Sequence, residues 1–169
     1  PALLKQFLRH IPKFLTGITT LVSAGDRLDH RDATEARMLI QGNFINAYGP
    51  TENTTSSTFY LIPRHGNNVN GVPIGRAISN SGAFVMDPQQ RPVPLGVMGE
   101  LVVTGDGLAR GYTDPTLDTD RFVHVEVNGQ LIRVYRTGDR VRYRPTDGEL
   151  EFFGRMDHQV KIRGHRVEL

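Results

Sequence analysis

The chain has 169 residues, 38% of them hydrophobic and 22% charged, with a formal net charge of +2. That length can bury a sizeable core and favours one domain, while the longest apolar runs are too short for a membrane-spanning helix. No basic-then-apolar leader opens the chain, and the absence of cysteine excludes disulfides, zinc–thiolate sites and a cysteine nucleophile; these features point to a cytoplasmic protein without a membrane partner.

Leu3, Leu4, Phe7 and Leu8 recur at helical spacing, which predicts a helix over Ala2–His10 that Pro12 ends. Ile18–Ala24 reads as a short buried strand, and Gly25-Asp26 turns the chain. A second helix is expected over Asp29–Leu39, carrying Ala33, Ala36 and Met38 and closed by Gly42. Phe44-Ile45 is a second short buried strand. Strand–helix–strand alternation is the pattern of a parallel α/β sheet, in which ligands sit at the carboxyl ends of strands, here near Gly25 and Tyr48.

Beyond about Pro73 the texture becomes rich in Pro, Gly and short β-prone runs. Strands are predicted at Ala83–Met86, Glu100–Thr104, Leu131–Tyr135, Val141–Arg144 and Leu150–Phe153, with a short helix over Pro115–Phe122 capped by Asp114. Asn128-Gly129 is a hairpin signal. An antiparallel or barrel-like β unit follows from this pattern. Nine Arg/Lys and five Asp/Glu fall between Arg133 and Arg166, but the cations alternate with apolar residues, as on a half-exposed strand, which argues against nucleic-acid binding. The chain ends at Leu169 inside an alternating pattern and begins on an amphipathic face without a cap, so both ends are expected to be cuts through a larger protein.

Four stretches have the composition of a ligand site. NAYGPTE (Asn46–Glu52) sets Gly-Pro after an apolar run and fixes Thr51 and Glu52 on a turn, a hydroxyl suited to phosphate and a carboxylate suited to a hard cation. Taken alone it also reads as a tight turn capped by polar residues. GELVVTGDGLARGY (Gly99–Tyr112) is a Gly-rich stretch without the GK[ST] ending of a P-loop. In YRTGD (Tyr135–Asp139), Asp139 is either a turn carboxylate or an acceptor for paired ribose hydroxyls. In GRMDHQVKIRG (Gly154–Gly164), Arg155 is a surface arginine or a fork for a ribose or phosphate oxygen. The six histidines show no metal-ligand spacing.

In this order, and spanning Leu21–Leu169, the four stretches resemble the adenylation domain of a nonribosomal peptide synthetase, a family grouped with acyl-CoA synthetases and firefly luciferase. The wording QVKIRGHRVEL together with NAYGPTEN is similar to the peptide-synthetase branch. The resemblance implies an α/β fold: the end of a parallel α/β sheet subdomain (1–75), a β-rich barrel-like subdomain (76–155), and the hinge and start of a small C-terminal lid (156–169). It implies ATP, Mg²⁺ and a carrier-borne phosphopantetheine as cofactors. Asn46 and Tyr48 would flank the adenine, with Phe152 nearby. Thr51 would touch the α-phosphate, Glu52 would hold Mg²⁺, Asp139 the ribose, and Arg155 a ribose or phosphate oxygen. Asp157 matches the hinge, and the Arg163–Glu168 loop, with Gly164, would face the entering phosphopantetheine. Val22, Ala24, Ala47, Thr55 and Ser56 would line an amino-acid pocket, the alanines leaving room for a bulky side chain.

The reaction so implied is formation of an aminoacyl adenylate, then thioester transfer to a carrier domain, with condensation and carrier domains as neighbours. The family's pyrophosphate loop and the aspartate for the substrate amino group are expected before Pro1, and the adenylate-clamping lysine after Leu169. The fragment alone is therefore expected to be inactive. An acyl- or aryl-CoA ligase and a non-catalytic interaction module are the alternative readings.

Overall fold

The computed structural model describes residues 1–65, 71–157, 160–162 and 165–167, the last two groups by backbone alone. The Arg163–Glu168 loop, including Gly164, contains positions outside the described residues.

The N-terminal part forms around helix α1 (Ala2–His10), which buries Leu4 and Leu8 one turn apart, and helix α2 (His30–Leu39), which buries Ala33 and Ala36 and leaves Met38 70% exposed. Asp29 caps α2, its Oδ1 accepting from the backbone N–H of Arg31 at 2.8 Å and of Asp32 at 3.4 Å. These helices cover one face of a four-stranded sheet, β1 (Thr20–Ser23), β2 (Asn43–Tyr48), β3 (Thr58–Leu61) and β4 (Arg76–Ala77) in that spatial order. Phe44, Tyr60, Ile62, Ile40 and Leu15 join the helices in one core cluster.

Strands β1 and β2 are parallel, joined through α2 as expected. β3 and β4 add antiparallel, so the sheet is mixed at its far edge. The expectation that β1 is buried is corrected: Val22 is 51% exposed, because the register of β1, β2 and β3 puts Val22, Ile45 and Leu61 on the face opposite α1 and α2. Gly42 does not close α2. That helix ends at Leu39 with Ile40 extended, and a Cβ on Gly42 would stand 1.8 Å from the Thr19 carbonyl oxygen, so glycine is needed where β1 and β2 meet.

The remainder is a five-stranded antiparallel sheet: β5 (Ser81–Met86), β6 (Gly99–Gly105), β8 (Gln130–Tyr143) and β7 (Phe122–Val127) in that order, with β9 (Leu150–Arg155) also paired to β8. Among the described residues β5 and β7 do not pair, so the β-rich part is an open sheet and not a closed barrel. Both faces are covered: Val85, Leu101, Val103, Tyr135, Val141 and Leu150 form one cluster, and Met86, Val102, Val125, Val127 and Val134 another.

Two expectations change here. Leu131–Tyr135 and Val141–Arg144 are not separate strands; β8 runs for 14 residues through YRTGD, absorbing Gly138 (φ +71°) where the pairing register shifts against β6, with a second shift against β9 between Asp139 and Val141. The expected helix over Pro115–Phe122 is a single 3₁₀ turn, Pro115–Leu117. Asp114 does cap it, but alternation from Phe122 onward pairs with β8 across the Asn128-Gly129 turn and draws the chain into β7. Hydrogen bonds between Ile74 or Gly75 and Leu150 tie the two sheets together beside β9. Strands β10 (Val160–Ile162) and β11 (His165–Val167) form a short antiparallel pair.

Candidate functional site

The carboxyl ends of β1 and β2 open into a cleft of about 340 Å³ walled on the other side by β8 and β9. Asn46, Ala47 and Tyr48 line it from β2, Asp139 from β8, and Phe152 and Arg155 from β9. Residues 92 positions apart in sequence, from Ala47 to Asp139, are brought together because the sheets join along Ile74 and Leu150. The sequence reading missed Asp26, Arg27 and Leu28, which line the same cleft. The Gly25-Asp26 turn at a strand's carboxyl end was the signal that could have found them.

The groups in the cleft are coupled. Tyr48 donates its hydroxyl to Asp139 Oδ2, and its ring lies 6.3 Å from that of Phe152 at 39°. Burial, and then the Asp139 carboxylate, push the Tyr48 phenol well above its ordinary range, so it remains a donor. Arg155 Nη1 donates to Asp139 Oδ1 at 3.2 Å and to the Thr137 carbonyl at 2.7 Å. Its Nε and Nη2 form a two-point contact with Asp157 at 2.8 and 2.6 Å. A Cβ on Gly138 would come within 2.8 Å of Arg155 Nη2, so this second glycine admits the guanidinium. The Asn46 side-chain amide donates to the Pro73 carbonyl at 2.7 Å.

Thr51 and Glu52 are not among the lining residues of the cleft. They ride on the 3₁₀ turn Thr51–Asn53, where Thr51 is exposed and Glu52 is 8% exposed. Tyr112 and Tyr135 both donate their hydroxyls to Glu52 Oε1, at 2.5 and 2.8 Å, and their own oxygens lie 3.2 Å apart. The Ala109 N–H donates to the Glu52 carbonyl at 2.8 Å. Burial, reinforced by Glu52, raises the Tyr112 phenol far above its usual value. At the opposite end of the same motif, Glu100 accepts from Arg136 Nε and Nη2 at 3.0 and 2.7 Å and from the Gly138 N–H at 3.0 Å. The stretch Gly99–Tyr112 is thus bonded to YRTGD at one end and to Glu52 at the other.

Of the five residues expected to line an amino-acid pocket, only Ala47 faces the cleft. Val22 lies on the same sheet face as Ala47 but two registers away, Ala24 and Thr55 are exposed, and Ser56 is half-buried. Thr54 and Thr55 adopt left-handed φ values of 45° and 67°, strained for β-branched residues; Thr54 is held by its hydroxyl bond to the Gly107 carbonyl at 2.7 Å. Asp157 is outside the cleft and lies 3.7 Å from Arg121 as well as against Arg155.

Among the described residues no three His, Asp or Glu side chains cluster as a metal site. Glu52 nevertheless fits a hard divalent cation as a single anchoring carboxylate, since Mg²⁺ is commonly held by one or two carboxylates with phosphate and water supplying the rest. No helix of the described residues is long and apolar enough to cross a membrane.

Comparison with known proteins agrees with this architecture. Residues 1–113 match the family described as AMP-binding enzyme. The chain is 64% identical over 169 residues to nonribosomal peptide synthetase kk1B of Curvularia clavata and 64% identical over 169 residues to cyclosporin synthetase simA of Tolypocladium inflatum. It is covered completely in both cases but spans only 1% of each relative. Its fold superposes with a TM-score of 0.91 and 30% identity on NpsA-ThdA, an artificially fused adenylation-PCP di-domain from Klebsiella oxytoca, covering 98% of this chain and 31% of that one. The chain therefore belongs to the AMP-binding enzyme family and is a segment of an adenylation domain of the nonribosomal peptide synthetase type.

Proposed function

We propose that the protein containing this chain activates an amino acid with ATP and passes it to a carrier domain. The observation that carries the reading is the single cleft shared by Asn46, Tyr48, Asp139, Phe152 and Arg155, with Glu52 anchored on the turn that follows Tyr48. The Tyr48 and Phe152 rings suit a planar base. Asp139, oriented by Tyr48 and Arg155, suits paired ribose hydroxyls. Thr51, exposed at the turn, suits an α-phosphate oxygen.

In the first half of the reaction an oxygen of the amino-acid carboxylate bonds to the α-phosphorus of ATP and the bond to the pyrophosphate leaving group breaks. In the second, a phosphopantetheine thiol on the carrier domain loses its proton, its sulfur attacks the acyl carbon, and AMP leaves. Mg²⁺ bound at Glu52 would offset the charge developing on the phosphate oxygens. The chain's own residues would bind the base and ribose, and Glu52 would be the carboxylate that holds the metal.

Val22, Ala24, Ala47, Thr55 and Ser56 are proposed to contribute to the amino-acid pocket, with the small Ala24 and Ala47 favouring a bulky substrate. Asp157, chelated by Arg155, is proposed as the hinge, and residues 1–75, 76–155 and 156–169 as core, β-rich and lid portions. Carrier and condensation domains are the proposed partners, and the cytosol, where ATP is supplied, the proposed location. The test is amino-acid-dependent pyrophosphate exchange by the full-length parent, followed by loading of its carrier domain. No exchange with any amino acid would overturn the reading, and acyl transfer to free coenzyme A in place of the carrier would redirect it to a CoA ligase.

A further inference from the structure

Glu52 is not held by its own turn alone. Its Oε1 accepts hydrogen bonds from two phenols that belong to two other motifs, Tyr112 at the end of the Gly99–Tyr112 stretch and Tyr135 at the start of YRTGD. The two hydroxyls are 3.2 Å apart, and Tyr135 is fully buried, so both donors converge on one carboxylate oxygen from a fixed wall. Tyr112 is itself fixed, its N–H donating to Asp118 Oδ1 at 2.8 Å and its ring meeting Phe122 edge-on at 5.6 Å. Two donors on the same oxygen set the rotation of the carboxylate.

We infer that Tyr112 and Tyr135 are positioning residues that orient the Glu52 carboxylate toward a nucleotide-bound divalent cation. The inference rests on the proposed role of Glu52 as the anchoring carboxylate. Groups that hydrogen-bond a metal-binding carboxylate fix its geometry, and their loss weakens metal binding without removing the ligand itself. The arrangement also explains why the last tyrosine of one motif and the first of another face each other, although neither lines the cleft.

The test measures Mn²⁺ binding to the full-length parent in the presence of ATP, by electron paramagnetic resonance of free Mn²⁺, alongside ATP binding without metal and the unfolding midpoint. Tyr112→Phe and Tyr135→Phe are each expected to weaken Mn²⁺ binding about tenfold, with metal-free ATP binding unchanged. A folded Tyr112→Phe protein with wild-type Mn²⁺ affinity overturns the inference. Equal loss of metal-free ATP binding also overturns it, since the phenol would then serve the site in general. Unfolding of both variants does the same by making the phenols part of the fold; if only Tyr135→Phe unfolds, Tyr112→Phe decides. Glu52→Gln separates the two levels: if wild type binds no Mn²⁺ with ATP, or Glu52→Gln loses none, the reading of Glu52 itself fails.

Discussion

Asp139 illustrates how far a single side chain can be read. As the carboxylate closing YRTGD it was already a candidate for ribose hydroxyls, but its partners come from β2 and β9, distant in sequence. Tyr48 on one oxygen and Arg155 on the other hold it in place before any ligand arrives. Asp139→Asn in the parent is expected to raise the KM for ATP about tenfold, the equivalent of roughly 1.4 kcal/mol for a hydrogen bond to a charged group, while the KM for the amino acid stays near wild type. Steady-state pyrophosphate exchange measures both. Glu52→Ala is expected to lower kcat by roughly a hundredfold to a thousandfold, the range for loss of one preorganised electrostatic contact, and single-turnover adenylate formation measures it. Tyr112 and Tyr135 stood inside quoted motifs, yet nothing in their spacing told that they meet at Glu52; that meeting depends on the path of β8.

At the scale of elements, caps and close approaches dominate. Asp29 was readable as the start of α2 because a short acceptor preceding an apolar-periodic run satisfies the first unpaired N–H groups. The Arg31 N–H holds its carboxyl below the ordinary 3.8, so the cap's contribution is fully present above that pH and is lost as pH falls through the lower folded value. Asp29→Ala is expected to destabilise α2 by about 1 kcal/mol near neutral pH, with the difference from wild type disappearing in acid; hydrogen exchange of the α2 amides across pH is the measurement. Gly42→Ala is expected to destabilise by roughly 1–3 kcal/mol, since a methyl cannot share space with the Thr19 carbonyl and β1 must move from β2. Denaturant unfolding of the adenylation domain tests it. Gly42 was read as a helix stop because sequence displays a glycine's freedom but not its neighbours. The Pro115–Phe122 helix failed for a related reason: pairing with β8 outweighed a local cap and a favourable proline.

At the scale of the molecule, the chain spans 31% of the adenylation–PCP di-domain it superposes on. These 169 residues alone are expected to give no amino-acid-dependent pyrophosphate exchange above background, while the full parent does so. Side-by-side assays at equal concentration check this. The amino-acid sequence by itself determined both helices, the parallel β1–β2 pair, the β-rich second half and the motifs from which the cleft residues come, because periodicity, caps and turn residues act over a few positions. Only the tertiary structure decided that β8 is one continuous strand, that the β-rich part is an open sheet, that Asp26–Leu28 join the cleft, and that two tyrosines from separate motifs hold Glu52. Those features arise from strand register and from contacts between sheets, where residues far apart in the chain compete for the same space and the same hydrogen bonds.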